Sequence, residues 1–148
     1  MVILNLTRQS IPARNACHAA DFRTRLFGLI GKSFSASMDG MVFARCNGIH
    51  TLFMKYPIDV IFADEKYRVL KTAPAFPAWR PWLVCRNAYY VIELPAGTLE
   101  STGTEPGDQL DLTGALSNET LKQWLGKKLL TVKKERESCS SPVDADPQ

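Results

Sequence analysis

The sequence contains no C-x-x-C pair, no glycine-rich phosphate loop, no nucleophile-elbow pattern and no apolar run long enough to cross a bilayer. Each absence closes a class of function. The four cysteines, Cys17, Cys46, Cys85 and Cys139, are widely and irregularly spaced, which argues against a zinc knuckle or a redox dithiol and for free thiols in a reducing cytoplasm. Scattered glycines with no phosphate-cradling spacing disfavour a nucleotide-hydrolysing enzyme. Ser33, Ser35 and Ser37 lie in a polar loop without a nucleophile-elbow context, and nothing beside Cys46 or Cys85 marks an activated thiol. A bilayer-spanning helix needs roughly 18 to 20 apolar residues, and even Gly48 to Ala63 is interrupted by His50, Lys55, Pro57 and Asp59. The opening MVILNLTRQSIPARN meets Arg8 early and has no basic segment ahead of a long apolar core. No secretory signal is expected, and a cytoplasmic chain is.

What is present suits one globular unit. The chain has 148 residues, 45% of them hydrophobic, with seven Phe and a formal charge of +3. That length buries a sizeable core, and the modest charge does not by itself indicate nucleic acid. Val2, Leu4 and Leu6 alternate within Val2 to Thr7 as in a strand. Phe22, Leu26, Leu29 and Ile30 recur at helical spacing, predicting a short helix over 19–30 that stops at Gly31. Met41 to Arg45, Gly48 to Met54 and Ile58 to Ala63 read as three short strands, followed by a turn at Asp64, Glu65 and Lys66 into YRVLKTA. Pro74, Pro77 and Pro81 keep the stretch 73–87 out of the middle of a sheet, so a loop is expected there. Tyr89 to Leu94 and Gln109 to Thr113 complete the strands, with a turn at Pro106, Gly107 and Asp108. The β-rich domain is expected over 1–116. Ser117 and Asn118 cap a second amphipathic helix over 117–136, on which Leu121, Trp124, Leu125 and Leu129 share a face, and 137–148 is expected to be a disordered tail.

Four sequence elements, in order, carry a resemblance to a known family. They are Arg25-Leu26-Phe27-Gly28-Leu29, then Gly40-Met41-Val42-Phe43, then Phe53-Met54 with Pro57-Ile58-Asp59-Val60-Ile61-Phe62, and last Glu93 to Gly97 with Gly107-Asp108. In these the chain resembles the domain of unknown function 192 family from about Asn5 to Thr113, departing from many relatives in having Phe53 for Trp and Ile30 for Met. The resemblance implies an α+β, mostly antiparallel fold, a small curled sheet or barrel-like core with one short helix against it. It implies no reaction.

Chemistry must therefore be sought in individual residues. Arg25, His50, Asp59 and Glu93 are ionisable groups embedded in apolar patterns, and a buried charge needs a partner. One reading pairs Asp59 or Glu93 with Arg25 to tie helix to sheet. Another sets His50 beside Asp59 or Glu93 as a general acid and base, or as a metal ligand, in a hydrolase-like enzyme. No metal-ligand spacing accompanies His50, and no metal or other cofactor is assigned.

The loop 73–87 offers a different kind of site. Phe76, Trp79 and Trp82 accompany Arg80 and Arg86 there, a combination enriched in binding hot spots and compatible with stacked bases. The loop either folds back to cap one end of the sheet and bury its tryptophans, or holds a small molecule, peptide or protein; nucleic acid is disfavoured. The terminal Lys122, Lys127, Lys128, Lys133, Lys134 and Arg136 are diluted by Glu135 and Glu137 and read as a solvated face. A non-enzymatic binding or accessory domain is the expectation, with the His50-centred enzyme as the alternative.

Overall fold

Apolar alternation becomes strand wherever both faces of the chain can be covered. The computed structural model describes residues 1–19 and 33–112. Along them run β1 (Ile3–Asn5), β2 (Ser10–Ala13), β3 (Ala16–His18), β4 (Gly40–Ala44), β5 (Gly48–Ile49), β6 (Ile58–Ala63), β7 (Val69–Phe76), β8 (Leu83–Val84), β9 (Tyr90–Pro95), α1 (Thr98–Thr102) and β10 (Leu110–Asp111). A five-stranded sheet in the order β3-β4-β9-β6-β7 lies at the centre, with a three-stranded sheet β10-β1-β2 and a two-stranded ribbon β5-β8. All pairings are antiparallel except β3 with β4. The α+β, mostly antiparallel class expected from the sequence is the one observed.

The two faces of the central sheet are buried by different things. Val42, Ile61, Ile92 and Leu94 point to a core shared with Ile3, Ala13, Leu99 and Leu110, so this face is covered by the three-stranded sheet and α1. Met41, Phe43, Val60, Phe62 and Val91 point the other way, into a core completed by Met54 and Phe34 from loops and by Phe76 of β7 and Leu83 of β8. Strand β6 is consequently buried at all six positions, which is why it reads as a nearly continuous apolar run. Fully burying each of Ile58, Ile61 and Phe62 contributes about 1.5–3 kcal/mol. Gly40 on β4 lies against Ala13 of β2. A Cβ there would stand 3.1 Å from Ala13 Cβ and 3.2 Å from a Leu94 methyl, so a side chain in place of the glycine of the Gly-Met-Val-Phe element would press on both neighbours.

The described strands form three sheets and no closed barrel, because β3 and β7 end the central sheet without pairing to each other. Expectations for single segments are corrected. The strand predicted over Gly48 to Met54 is only two residues long: the backbone of Thr51 bonds to loop residues 79 and 80 instead of to a ladder. Strand β7 runs through Pro74 to Phe76, further than expected, which an edge strand tolerates since one row of its N–H groups needs no partner. Leu83–Val84, inside the predicted loop, pairs with β5. Strands β2 and β3 and helix α1 were not anticipated: Pro12 hid β2, an edge strand, and five residues are too few for a helical period. The helix predicted over 19–30 beyond Ala19, with Arg25 on it, the helix over 117–136 and the tail 137–148 lie outside the described residues.

Candidate binding site

Asp59 is completely buried on β6, inside the central sheet. It shares the face of Ile61 and stands opposite Leu94. Two residues of β7, Pro74 and Ala75, oppose it, because the β6–β7 register runs from Ile58↔Phe76 to Val60↔Ala73. That is a β-bulge. Ala75 sits there at φ 45°, and its N–H donates to Asp59 Oδ1 at 2.7 Å. Oδ2 accepts at 2.7 Å from the N–H of Leu99, in the first turn of α1 behind left-handed Gly97. Both carboxylate oxygens of this fully buried residue are thus taken by backbone donors. Asp59 caps a helix and fixes a bulge, and Arg25, one partner expected for it, lies outside the described residues.

A second buried carboxylate explains the end of the sequence pattern. Asp108 accepts from Asn5 Nδ2 at 2.9 Å, from Arg8 Nε at 3.0 Å and from the Glu105 N–H at 2.9 Å. Burial opposes its ionisation, but the bonds from Asn5, Glu105 and Arg8 prevail and hold its carboxyl below the usual range. Arg8 also pairs with Glu105. This cluster ties the end of β1 to the turn before β10.

Glu93 is of another kind. It lies one register step from Asp59, paired with Val60 on one side and Met41 on the other, and so projects from the opposite face of the sheet. Its Oε2 is buried with no hydrogen-bond partner, and burial pushes its pKa up to about 8. At neutral pH it is mostly a neutral acid. Nδ1 of half-buried His50 also lacks a partner. Asp59 and Glu93 therefore cannot act on one substrate as a pair, and among the described residues no three metal-ligating side chains come together.

The aromatic loop is organised by a residue that no sequence signal marked, Thr51. Completely buried, it donates its N–H to Arg80 O at 2.9 Å and accepts the Trp79 N–H at 2.8 Å. Its hydroxyl donates to Pro77 O at 2.7 Å and accepts the Arg80 N–H at 3.0 Å. Four bonds clasp loop 50–57 to loop 77–82. On this clasp Phe53 and Trp79 stand at φ 66° and 61°, with ring centroids 5.2 Å apart edge to face. Phe53 is 60% exposed, Trp79 61% and Trp82 74%. The loop does cap the second core, through Phe76, Ala78 and Leu83, but it does not bury its tryptophans. Its two arginines part company. Arg80 is exposed between Trp79 and Trp82, whereas Arg86 lines a cleft of about 440 Å³ with Asp64, Glu65 and Tyr89. A smaller cleft of about 240 Å³ lies between Phe34, Tyr56, Pro57 and Pro95.

The model of the domain of unknown function 192 family (DUF192, Uncharacterized ACR) matches residues 4–112. The chain belongs to this family. Its DUF192 relatives include a UPF0127 protein of Thermococcus sibiricus, 34% identical over 97 residues, 66% of this chain and 51% of that one. A UPF0127 protein of Pyrococcus horikoshii is 42% identical over 62 residues, 42% of this chain and 53% of that one. The chain spans about half the length of these curated relatives. Among solved structures, a protein of unknown function from Novosphingobium aromaticivorans superposes with TM-score 0.63 at 19% identity, covering 74% of this chain and 81% of the other. A Sinorhizobium meliloti protein described as a candidate transcription regulator gives TM-score 0.62 at 22% identity over 74% and 89%. Both likenesses concern the fold alone. The DUF192 pattern takes on physical content here: Gly40 permits a close approach, Asp59 joins the third element to the helix that follows Glu93–Gly97, and Asp108 holds β1. These are roles in folding, whereas Phe53 is a large apolar residue of the pattern that stands exposed.

Proposed function

We propose that this chain is a non-enzymatic binding or accessory domain that holds a small molecule, peptide or protein partner against Phe53, Trp79, Arg80 and Trp82, in a cytoplasmic setting. One observation carries the reading: two bulky, exposed aromatics are held in left-handed backbone by the Thr51 clasp. Such conformations cost about 1–3 kcal/mol each and persist where the surroundings impose them, and exposed aromatic clusters mark interaction sites. The free thiols Cys17, Cys46 and Cys85 suit a reducing compartment. Of the other loop residues, Phe76 supports the patch from the core and Arg86 belongs to its flank. Mass spectrometry of what co-purifies with the native chain tests the reading. The bound species should persist in His50→Ala and Glu93→Gln and disappear in Trp79→Ala/Trp82→Ala; persistence in the tryptophan variant sinks the proposal.

The alternative, a hydrolase-like or metal-assisted enzyme, rests on the buried, unpartnered His50 Nδ1 and Glu93 Oε2. With both Asp59 oxygens bonded to backbone, Glu93 is the carboxylate that better suits it beside His50, and the further candidate Arg25 lies outside the described residues. A hydrolytic activity abolished equally by His50→Ala and Glu93→Gln, and untouched by Trp82→Ala, would favour it.

A further inference from the structure

The exposed patch has a charge character as well as a shape. Residues 50–58, HTLFMKYPI, and 76–84, FPAWRPWLV, contain Lys55 and Arg80 and no carboxylate. Both cations are exposed, each interleaved with the aromatics: Lys55 two residues after Phe53, Arg80 between Trp79 and Trp82. The three large side chains stand out of the surface, more than half exposed apiece, and line neither of the clefts described above. Protruding indole and phenyl groups find few partners in a rigid concave site. They fit a deformable phase that is apolar below and charged at its surface.

From this we infer that the patch docks peripherally on an anionic lipid bilayer, with Phe53, Trp79 and Trp82 seated at headgroup depth and Lys55 and Arg80 against acidic headgroups. The inference rests on the binding reading above and names its partner. Indole and phenyl rings settle at the membrane interface because one end of the environment is apolar and the other wet. Lysine and arginine close to an anionic leaflet add an attraction that salt screens. The Thr51 clasp matters for the same reason. Four hydrogen bonds set the two loops before contact, so little order remains to be imposed on the bilayer surface. The docking inferred is peripheral, and no helix among the described residues is long and apolar enough to cross a membrane.

Co-sedimentation of the full chain with phosphatidylcholine vesicles, with and without phosphatidylglycerol, tests this. The chain should pellet with the anionic vesicles, more weakly in high salt, and Trp79→Ala or Trp82→Ala should each lower partitioning about tenfold. Lys55→Gln and Arg80→Gln should each lower it about fivefold. In a Trp124→Phe background, emission from Trp79 and Trp82 should shift to the blue on vesicle addition and be quenched by brominated lipid. Because Trp82 is the most exposed of the three, its variant keeps the test valid if Trp79→Ala misfolds; circular dichroism checks both. The inference falls if the native chain stays in the supernatant, if partitioning survives Trp79→Ala/Trp82→Ala, or if single-stranded oligonucleotide binds the patch in preference to vesicles. Absence of vesicle binding together with a tryptophan-dependent co-purified species would remove the membrane and leave the binding reading intact. Survival of that species in the double variant would remove the reading itself.

Discussion

Asp59 and Glu93 are two buried carboxylates one register step apart in the same sheet, and they behave in opposite ways. Asp59 faces the core closed by the three-stranded sheet and α1, where a bulge and a helix start each leave a backbone N–H aimed at it. Glu93 faces the core closed by loops, and among the described residues nothing is aimed at it. The contrast separates a carboxylate whose charge organises the fold from one whose charge the fold suppresses. Burial alone does not distinguish them; the unpaired donors around them do.

The comparison can be broken most forcefully at Asp59. Replacing it by Ala strands the buried Leu99 N–H, at about 1–3 kcal/mol, and the part-buried Ala75 N–H at less, so Asp59→Ala should lose about 3 kcal/mol in urea unfolding. If α1 and the bulge tolerate the change with a loss under about 1 kcal/mol, the capping role is wrong.

Glu93 sharpens the other side through pH. Its folded pKa, about 8, lies above its ordinary value of 4.5, so the native state keeps a proton that the unfolded chain releases. The sign follows: the stability contribution is fully present below about pH 4.5 and drains away as pH rises through about 8. Glu93→Gln carries no such proton. Its stability relative to the native chain should therefore rise by about 3 kcal/mol between pH 5 and pH 7, at about 1.4 kcal/mol per pH unit. Parallel stability–pH curves for the two proteins would show that Glu93 is ionised and paired after all.

Thr51→Val keeps the shape of the clasp and removes its hydroxyl. Arg80 N–H and Pro77 O lose their side-chain partner, for a loss of about 1–2 kcal/mol in denaturant midpoint experiments. The blunter consequence should be local: faster amide exchange at Arg80 than at Phe62. Uniform exchange in the variant would mean that the clasp does not hold the loop.

The legible part of this fold is the part where burial has two sides. Ile58 to Ala63 and Tyr89 to Leu94 announced themselves because neighbours on both faces demand apolar side chains. Ser10–Ala13 stayed hidden because Pro12 is permitted only by its place at an edge, a fact about neighbours absent from the local sequence. Gly48 to Met54 looked like one strand because its apolar residues do enter a core, yet they do so from an irregular segment held by Thr51. Alternation between His50 and Asp59 thus carries no information about shared faces. For the candidate site, tryptophan and arginine content pointed to the loop, but the partner Phe53 and the organiser Thr51 come from a segment some 25 residues away in sequence. Only tertiary hydrogen bonding brings them together.

The smallest expected effect is the one that separates binding from folding most cleanly. Trp79 is 61% exposed at φ 61°, so its contribution to stability is contact with Phe53 set against backbone strain. Glycine relieves that strain while losing the ring contact and adding freedom to the unfolded chain. The terms offset, and Trp79→Gly should unfold within about 0.5 kcal/mol of the native protein, as should the more exposed Trp82→Ala. A loss above about 2 kcal/mol at either position would make the tryptophans part of the cap over the second core. Near-neutrality leaves Trp79 strained and both tryptophans exposed and dispensable to the fold, a combination that a partner explains and packing does not.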